Sequence, residues 1–252
     1  MLKSMIIAIS TYSRIPMPRF EWKEKDMRYI LCFFPIVGII IGVCEVGIFY
    51  LMEKLGFQPV TKAAVLTILP MIINGGIHMD GFLDTVDAKS SYASKEKKLE
   101  ILKDPHTGAF AIIFGMVYIL TYFAFSNEIT AETILFLAMC HPFSRILSAL
   151  SLAVFSKAKK DGMAAAFSTA APGKVKWILI TELILYVGIL LYLSLPYGII
   201  ILAAGAAAFI YYRLMSYKEF GGITGDLAGF FLQICELAIL ISVVITSKLP
   251  HP

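Results

Sequence analysis

Apolar stretches of about 17 to 25 residues alternate with shorter polar segments along the whole chain. Runs of that length, without the two-residue alternation of strands, predict membrane-spanning helices. Seven are expected, at about Ile30–Met52, Ala63–Met79, Thr107–Phe125, Ala131–Phe155, Trp177–Leu193, Ile199–Met215 and Leu227–Thr246. Ahead of them, Met5, Ile6, Ile9 and Ile15 are spaced for an amphipathic interfacial helix ended by Pro16 and Pro18. This start does not read as a signal peptide, because its apolar run is short and no small-residue cleavage site follows. The first span carries Gly38-x-x-x-Gly42, a pattern that lets helices approach closely in lipid. Within the polar segment Asp80–His106, Ser94 is placed to cap a short surface helix.

Composition agrees with the pattern. The chain is 58% hydrophobic and 16% charged, against about 25% charged in soluble domains. The fold class expected is an all-α, polytopic transmembrane bundle. Residues 1–252 are expected to form one integral-membrane domain, with 1–28 as an interfacial segment and 80–106 as a polar loop that its charge and motifs make the cytoplasmic active-site loop. Cys32, Cys44, Cys140 and Cys235 all lie in apolar segments and read as small buried hydrophobes. No internal repeat is found.

Charge sets the orientation. Of the 22 basic residues, 18 fall in segments 1–28, 80–106, 156–176 and 213–225, which seven spans place on one side. The positive-inside rule makes that side, and the N-terminus, cytoplasmic.

The chemistry concentrates in Asn74-Gly75-Gly76-Ile77-His78-Met79-Asp80-Gly81-Phe82-Leu83-Asp84-Thr85-Val86-Asp87-Ala88. On a helix, Asp80, Asp84 and Asp87 point within about 60° of one another. Three carboxylates on one face repel and call for a cation, and oxygen ligands suit Mg²⁺ or Mn²⁺ rather than zinc. A solvated acidic turn outside a span is the plainer alternative. Lysine-ringed carboxylates at a membrane surface point to phosphoryl chemistry. Glu45, Arg145, Glu182 and Glu236 are ionisable groups inside spans. Arg145 needs a carboxylate or a ligand phosphate there, and pairing with Glu45 or an aspartate is the structural alternative.

The stretch 74–88 resembles the hallmark T-G-G-L-H-x-D-G-L-x-D-T-x-D-G of adenosylcobinamide-GDP ribazoletransferases, also called cobalamin 5′-phosphate synthases. Four other stretches agree in order. Arg14-Ile15-Pro16-Met17-Pro18 is similar to R-[IL]-P-x-P, and Glu100–Asp104 with Gly108-Ala109-Phe110 to E-I-M-K-D-x-x-x-G-A-F. Lys160-Asp161-Gly162-Met163-Ala164 resembles the family's loop after the fourth span. Gly221-Gly222-Ile223-Thr224-Gly225-Asp226 resembles G-G-x-T-G-D. Asn74 and Ala88 depart from the family's Thr and Gly, and neither change touches a carboxylate.

The resemblance implies a multi-pass transferase of the cell membrane, its active site facing the cytoplasm. It would join adenosylcobinamide-GDP to α-ribazole or its 5′-phosphate and release GMP, with Mg²⁺, or Mn²⁺, as cofactor. It implies His78, Asp80, Asp84 and Asp87 as catalytic residues, the three aspartates also holding metal, with Asp87 as the expected base. Gly75, Gly76, Lys103, Arg145, Lys160 and Thr224 are implied at the substrate. Asp226 either completes the metal shell or caps the seventh span, and the sequence favours the cap. Expected partners are the two substrates and the lipid bilayer, without nucleic acid. Homo-oligomerisation and association with other cobalamin-biosynthesis enzymes are left open. A CDP-alcohol phosphotransferase would carry D-x-x-D-G-x-x-A-R, which this chain lacks. A secondary transporter using Glu45, Arg145, Glu182 and Glu236 would often show repeats.

Overall fold

The computed structural model describes residues 1–18, 21–159 and 162–249. Among them are twelve helices and one isolated bridge between extended residues. The N-terminal amphipathic helix is α1 (Leu2–Tyr12), followed by the short α2 (Glu24–Met27). The long apolar runs become α3 (Ile30–Lys54), α7 (Ala109–Ser126), α8 (Ile134–Val154), α10 (Lys174–Leu193), α11 (Leu195–Phe220) and α12 (Gly225–Lys248). Each of these six is long and apolar enough to cross a membrane.

The second expected span departs from a straight helix. It is broken into α4 (Pro59–Asn74) and α5 (Ile77–Ser90), bent by 96° at Gly75–Gly76. Both glycines are left-handed, with φ 66° and 79°, a conformation that other residues enter only at a cost. Gly75 ends α4 and Gly76 opens α5. The aspartates therefore leave the crossing direction and run along the end of the bundle. Asp80 begins no loop, as the polarity of 80–106 suggested; the segment starts as helix. It continues through a turn into α6 (Lys95–Ile101), where the Ser94 side chain accepts from the Lys97 N–H as expected.

Contacts at the two ends define the topology. At one end the Tyr50 hydroxyl donates to the Ala131 carbonyl at 3.1 Å, and Lys248 pairs with Glu128 at 2.6 Å. Lys62, in the first turn of α4, pairs with Glu53 at the same end. At the other end the Arg14 N–H donates to the Ile73 carbonyl at 2.7 Å. Lys98 pairs with Glu219 at 2.5 Å there, and Lys159 Nζ donates to the Leu99 carbonyl at 2.7 Å. So α4 runs the depth of the bundle, and with α5 it makes a bent pair that brings the candidate spans to as many as seven. By contrast, α5 packs on the first turns of α7 and α12 and lies outside the crossing segments.

Small residues set the spacing. A Cβ at Gly38 would lie 2.5 Å from the Pro142 nitrogen, and one at Gly42 2.6 Å from the Ala138 carbonyl oxygen, so the G-x-x-x-G face seats α3 against α8. Four buried polar groups lock α3, α8 and α12 beneath the site. His141 Nε2 meets Glu45 at 2.9 Å and Nδ1 meets Glu236 at 3.1 Å. Arg145 donates to Glu236 at 2.7 Å and to the His141 carbonyl at 2.9 Å. The remaining helix, α9 (Met163–Ala170), covers this same end beside α2 and α8.

Candidate active site

The aspartate helix is held to α12 by two glycines. A Cβ at Gly81 would lie 2.7 Å from the Asp226 carbonyl oxygen, and one at Gly229 3.1 Å from that of His78. Backbone meets backbone, and Phe82 stacks on Phe230 with ring centroids 5.6 Å apart. This crossing sets Asp80 and Asp226, far apart in sequence, on the wall of one cleft.

That cleft has a volume of about 320 Å³. Phe34, Leu152 and Leu232 give it an apolar base; Asp80, Asp226, His78, Lys103, Lys157 and Lys159 supply its polar groups. The Lys157 ammonium donates to the carbonyls of Leu152, at 2.5 Å, and Phe155, at 2.9 Å, at the C-terminus of α8. Burial holds that ammonium below the ordinary lysine range. The loop bearing Lys157 and Lys159 is tied to the α11–α12 turn by a short parallel bridge. Its bonds are Ala158 N–H to Ile223 O and Ile223 N–H to Ser156 O, both 2.9 Å. Gly222 permits it, because a Cβ there would lie 2.7 Å from the Ala158 nitrogen.

The carboxylates form an electrostatic set. Desolvation by burial, then the charges of Asp80, Asp226 and Asp87, push the half-buried Asp84 carboxyl up to about 6. Asp87 packs so tightly on the α7 N-terminus that a Cβ at Gly108 would lie 2.1 Å from its oxygen. Among the described residues no three His, Cys, Asp or Glu side chains converge into a closed metal cage. The donor set still fits magnesium, which takes one or two carboxylates and keeps most of its waters.

Several expected site residues are thus gathered: His78, Asp80, Lys103, Thr224 and Asp226 line the cleft, and Asp84 and Asp87 stand near on α5. His78 Nε2 is buried there without a hydrogen-bond partner. Others are placed elsewhere. Arg145 is fully buried and is engaged by Glu236 rather than by Glu45 or an aspartate, so it supports the cleft from below instead of reaching into it. Gly75 and Gly76 make the bend, away from the cleft wall. Thr224, not Asp226, caps α12, accepting from the Leu227 N–H at 3.2 Å. Asp226 is one residue inside the helix, its carboxylate free of the capping role that the sequence favoured. Lys160 lies outside the described residues.

Sequence reasoning missed Tyr12, Lys157 and Lys159 as site residues. Tyr12 reaches the cleft from α1, its ring 4.2 Å from Phe34 and 6.2 Å from His78 between centroids. The lysines stood out only as part of a basic loop, and nothing local marks which of them turn inward.

Comparison with known proteins places the chain in a family. The family model described as CobS, Cobalamin-5-phosphate synthase, matches residues 4–244. An adenosylcobinamide-GDP ribazoletransferase of Lachnoclostridium phytofermentans is 44% identical over 97% of this chain and 94% of its own. One from Clostridium botulinum is 35% identical over 96% of this chain and 97% of its own. Another, from Treponema denticola, is 32% identical over 95% and 96%. No solved structure matches. With nearly its whole length matched and its aspartate helix and lysine loop meeting in one cleft, the chain belongs to the cobalamin-5-phosphate synthase family.

Proposed function

We infer that this chain is the transferase that closes the nucleotide loop of cobalamin, joining adenosylcobinamide-GDP to α-ribazole or α-ribazole 5′-phosphate with release of GMP. The family carries the reaction class. The observation that carries the site is the meeting of Asp80 and Asp226 with Lys103, Lys157 and Lys159 around one cleft.

The acceptor's ribose hydroxyl oxygen forms a bond to the phosphorus that bears the corrinoid's aminoalcohol. The bond from that phosphorus to the bridging oxygen breaks, and GMP leaves with the electron pair. The hydroxyl proton passes to the acidic set, and the cleft-facing position of Asp80 supports it in that role over Asp87, which is packed on Gly108. Asp84 and Asp226 would hold Mg²⁺, or Mn²⁺ in its place, with water completing the shell. Such an ion supplies charge neutralisation on the diphosphate oxygens. The lysines bind the same oxygens, and His78 offers a buried ring nitrogen to the substrate.

Among the described residues, Arg14, Lys95, Lys98, Lys103, Lys157 and Lys159 lie at the site's end of the bundle, which supports a cytoplasmic site and N-terminus. Purified protein in detergent is expected to release GMP from adenosylcobinamide-GDP only when an α-ribazole acceptor and a divalent cation are both present. Release of CMP from a CDP-alcohol, with none of GMP, overturns the reading.

A further inference from the structure

We propose that a second cavity, adjoining the cleft at Asp80, receives the attacking nucleoside, and that Arg14 reads its 5′-phosphate; this rests on the transferase reading above. The cavity has a volume of about 630 Å³ and lies between α1 and the α4–α5 bend. It shares Ile77 and Asp80 with the cleft. Helix α1 contributes Tyr12 to the cleft and Ser10 and Thr11 to the second cavity, which Arg14, just past the end of α1, also lines.

Three observations give this space a ligand. An in-line displacement needs the entering hydroxyl and the leaving nucleotide on different sides of the phosphorus. Two cavities that meet at one carboxylate supply separate places for the acceptor and for the diphosphate. Next, the lining mixes apolar and polar groups, and one polar group is unsatisfied: Thr11 Oγ1 is buried without a hydrogen-bond partner. Finally, Arg14 is built into the wall. Its N–H is bonded to the Ile73 carbonyl, and its side chain lies where a Cβ on Gly75 would come within 2.4 Å of Nε. No carboxylate among the described residues pairs with its guanidinium. An exposed guanidinium with no carboxylate partner among the described residues, on the cavity that Asp80 also lines, suits a phosphate dianion. The glycine pair thereby serves the acceptor by seating Arg14, rather than by contacting the diphosphate.

The test uses the full-length protein in detergent with adenosylcobinamide-GDP and, in separate series, α-ribazole 5′-phosphate and unphosphorylated α-ribazole. Arg14→Gln is expected to raise KM for the phosphorylated acceptor about 10- to 100-fold more than for the unphosphorylated one, with kcat little moved. Ser10→Phe, which fills the cavity, is expected to raise KM for both acceptors far more than KM for adenosylcobinamide-GDP. Should Arg14→Gln not yield folded protein, the Ser10→Phe comparison decides. Equal changes for the two acceptors in Arg14→Gln, or a rise in Ser10→Phe no larger for the acceptors than for adenosylcobinamide-GDP, overturn the assignment while the wild-type turnover upholds the transferase reading. Wild-type protein that releases no GMP with either acceptor overturns both.

Discussion

Asp84 is the residue on which the acidic set turns. Its carboxyl is raised because Asp80, Asp226 and Asp87 crowd a half-buried position. The folded value lies above the unfolded one, so without a cation the ionised carboxylate destabilises the fold above about pH 6. That penalty disappears as the pH falls below it. Magnesium is therefore expected to raise the Tm clearly at about pH 7.5 and little at about pH 5.5, where protons compete with it. Thermal unfolding in detergent checks this, and a pH-independent shift would count against Asp84 as a ligand. Asp84→Asn is expected to lower turnover by about 100-fold or more while leaving the Tm without magnesium unchanged or raised. Arg145 carries the opposite expectation. It holds Glu236 in the interior, so Arg145→Met should cost up to about 3–5 kcal/mol by leaving that buried carboxylate to His141 and Ser144 alone. Denaturant unfolding of the variant measures that loss. The sequence marked both residues as unusual, but it identified only the environment of the aspartate. The partner of Arg145 lies 91 residues away, on a helix whose rotation no local pattern reveals.

At the scale of elements, the decisive contact is α5 on α12. Gly81 and Gly229 leave no room for a side chain between the two backbones, whereas Gly47 meets nothing within 4 Å. Gly81→Leu is expected to cost about 1–3 kcal/mol and to lift the aspartates away from Asp226, lowering activity as well as stability. Gly47→Ala should be neutral or slightly stabilising in the same unfolding assay. Much at this scale was readable beforehand: the apolar runs, the close-packing face of α3 and the Ser94 cap all stand where pattern and capping chemistry put them. The bend was not. Adjacent glycines announce backbone freedom, but whether that freedom is spent on a turn or on a ligand depends on what packs behind them. Here the Ile73 carbonyl and the Arg14 side chain decide for the turn.

For the molecule as a whole, basic residues, both motif-bearing turns and the aspartate helix are collected at one end of the bundle. Lys95, exposed on α6 at that end, offers a direct check on sidedness. A Lys95→Cys variant in intact cells is expected to resist an impermeant thiol reagent until the cytoplasmic side is opened; the native cysteines are controlled for by the parent protein. Labelling from outside would reverse the orientation. Because α5 turns across the end of the bundle, the cleft lies at that end, and its 320 Å³ suits a phosphate-bearing tail rather than a macrocycle. The corrin ring would then stay outside the protein, over the membrane surface, and the axial ligand on its upper face would go largely unread. Cobinamide-GDP bearing cyanide in place of adenosyl is accordingly expected to turn over with a KM close to that of the adenosyl form. The 96° turn at two glycines would thus decide which chemical differences between substrates the protein ignores.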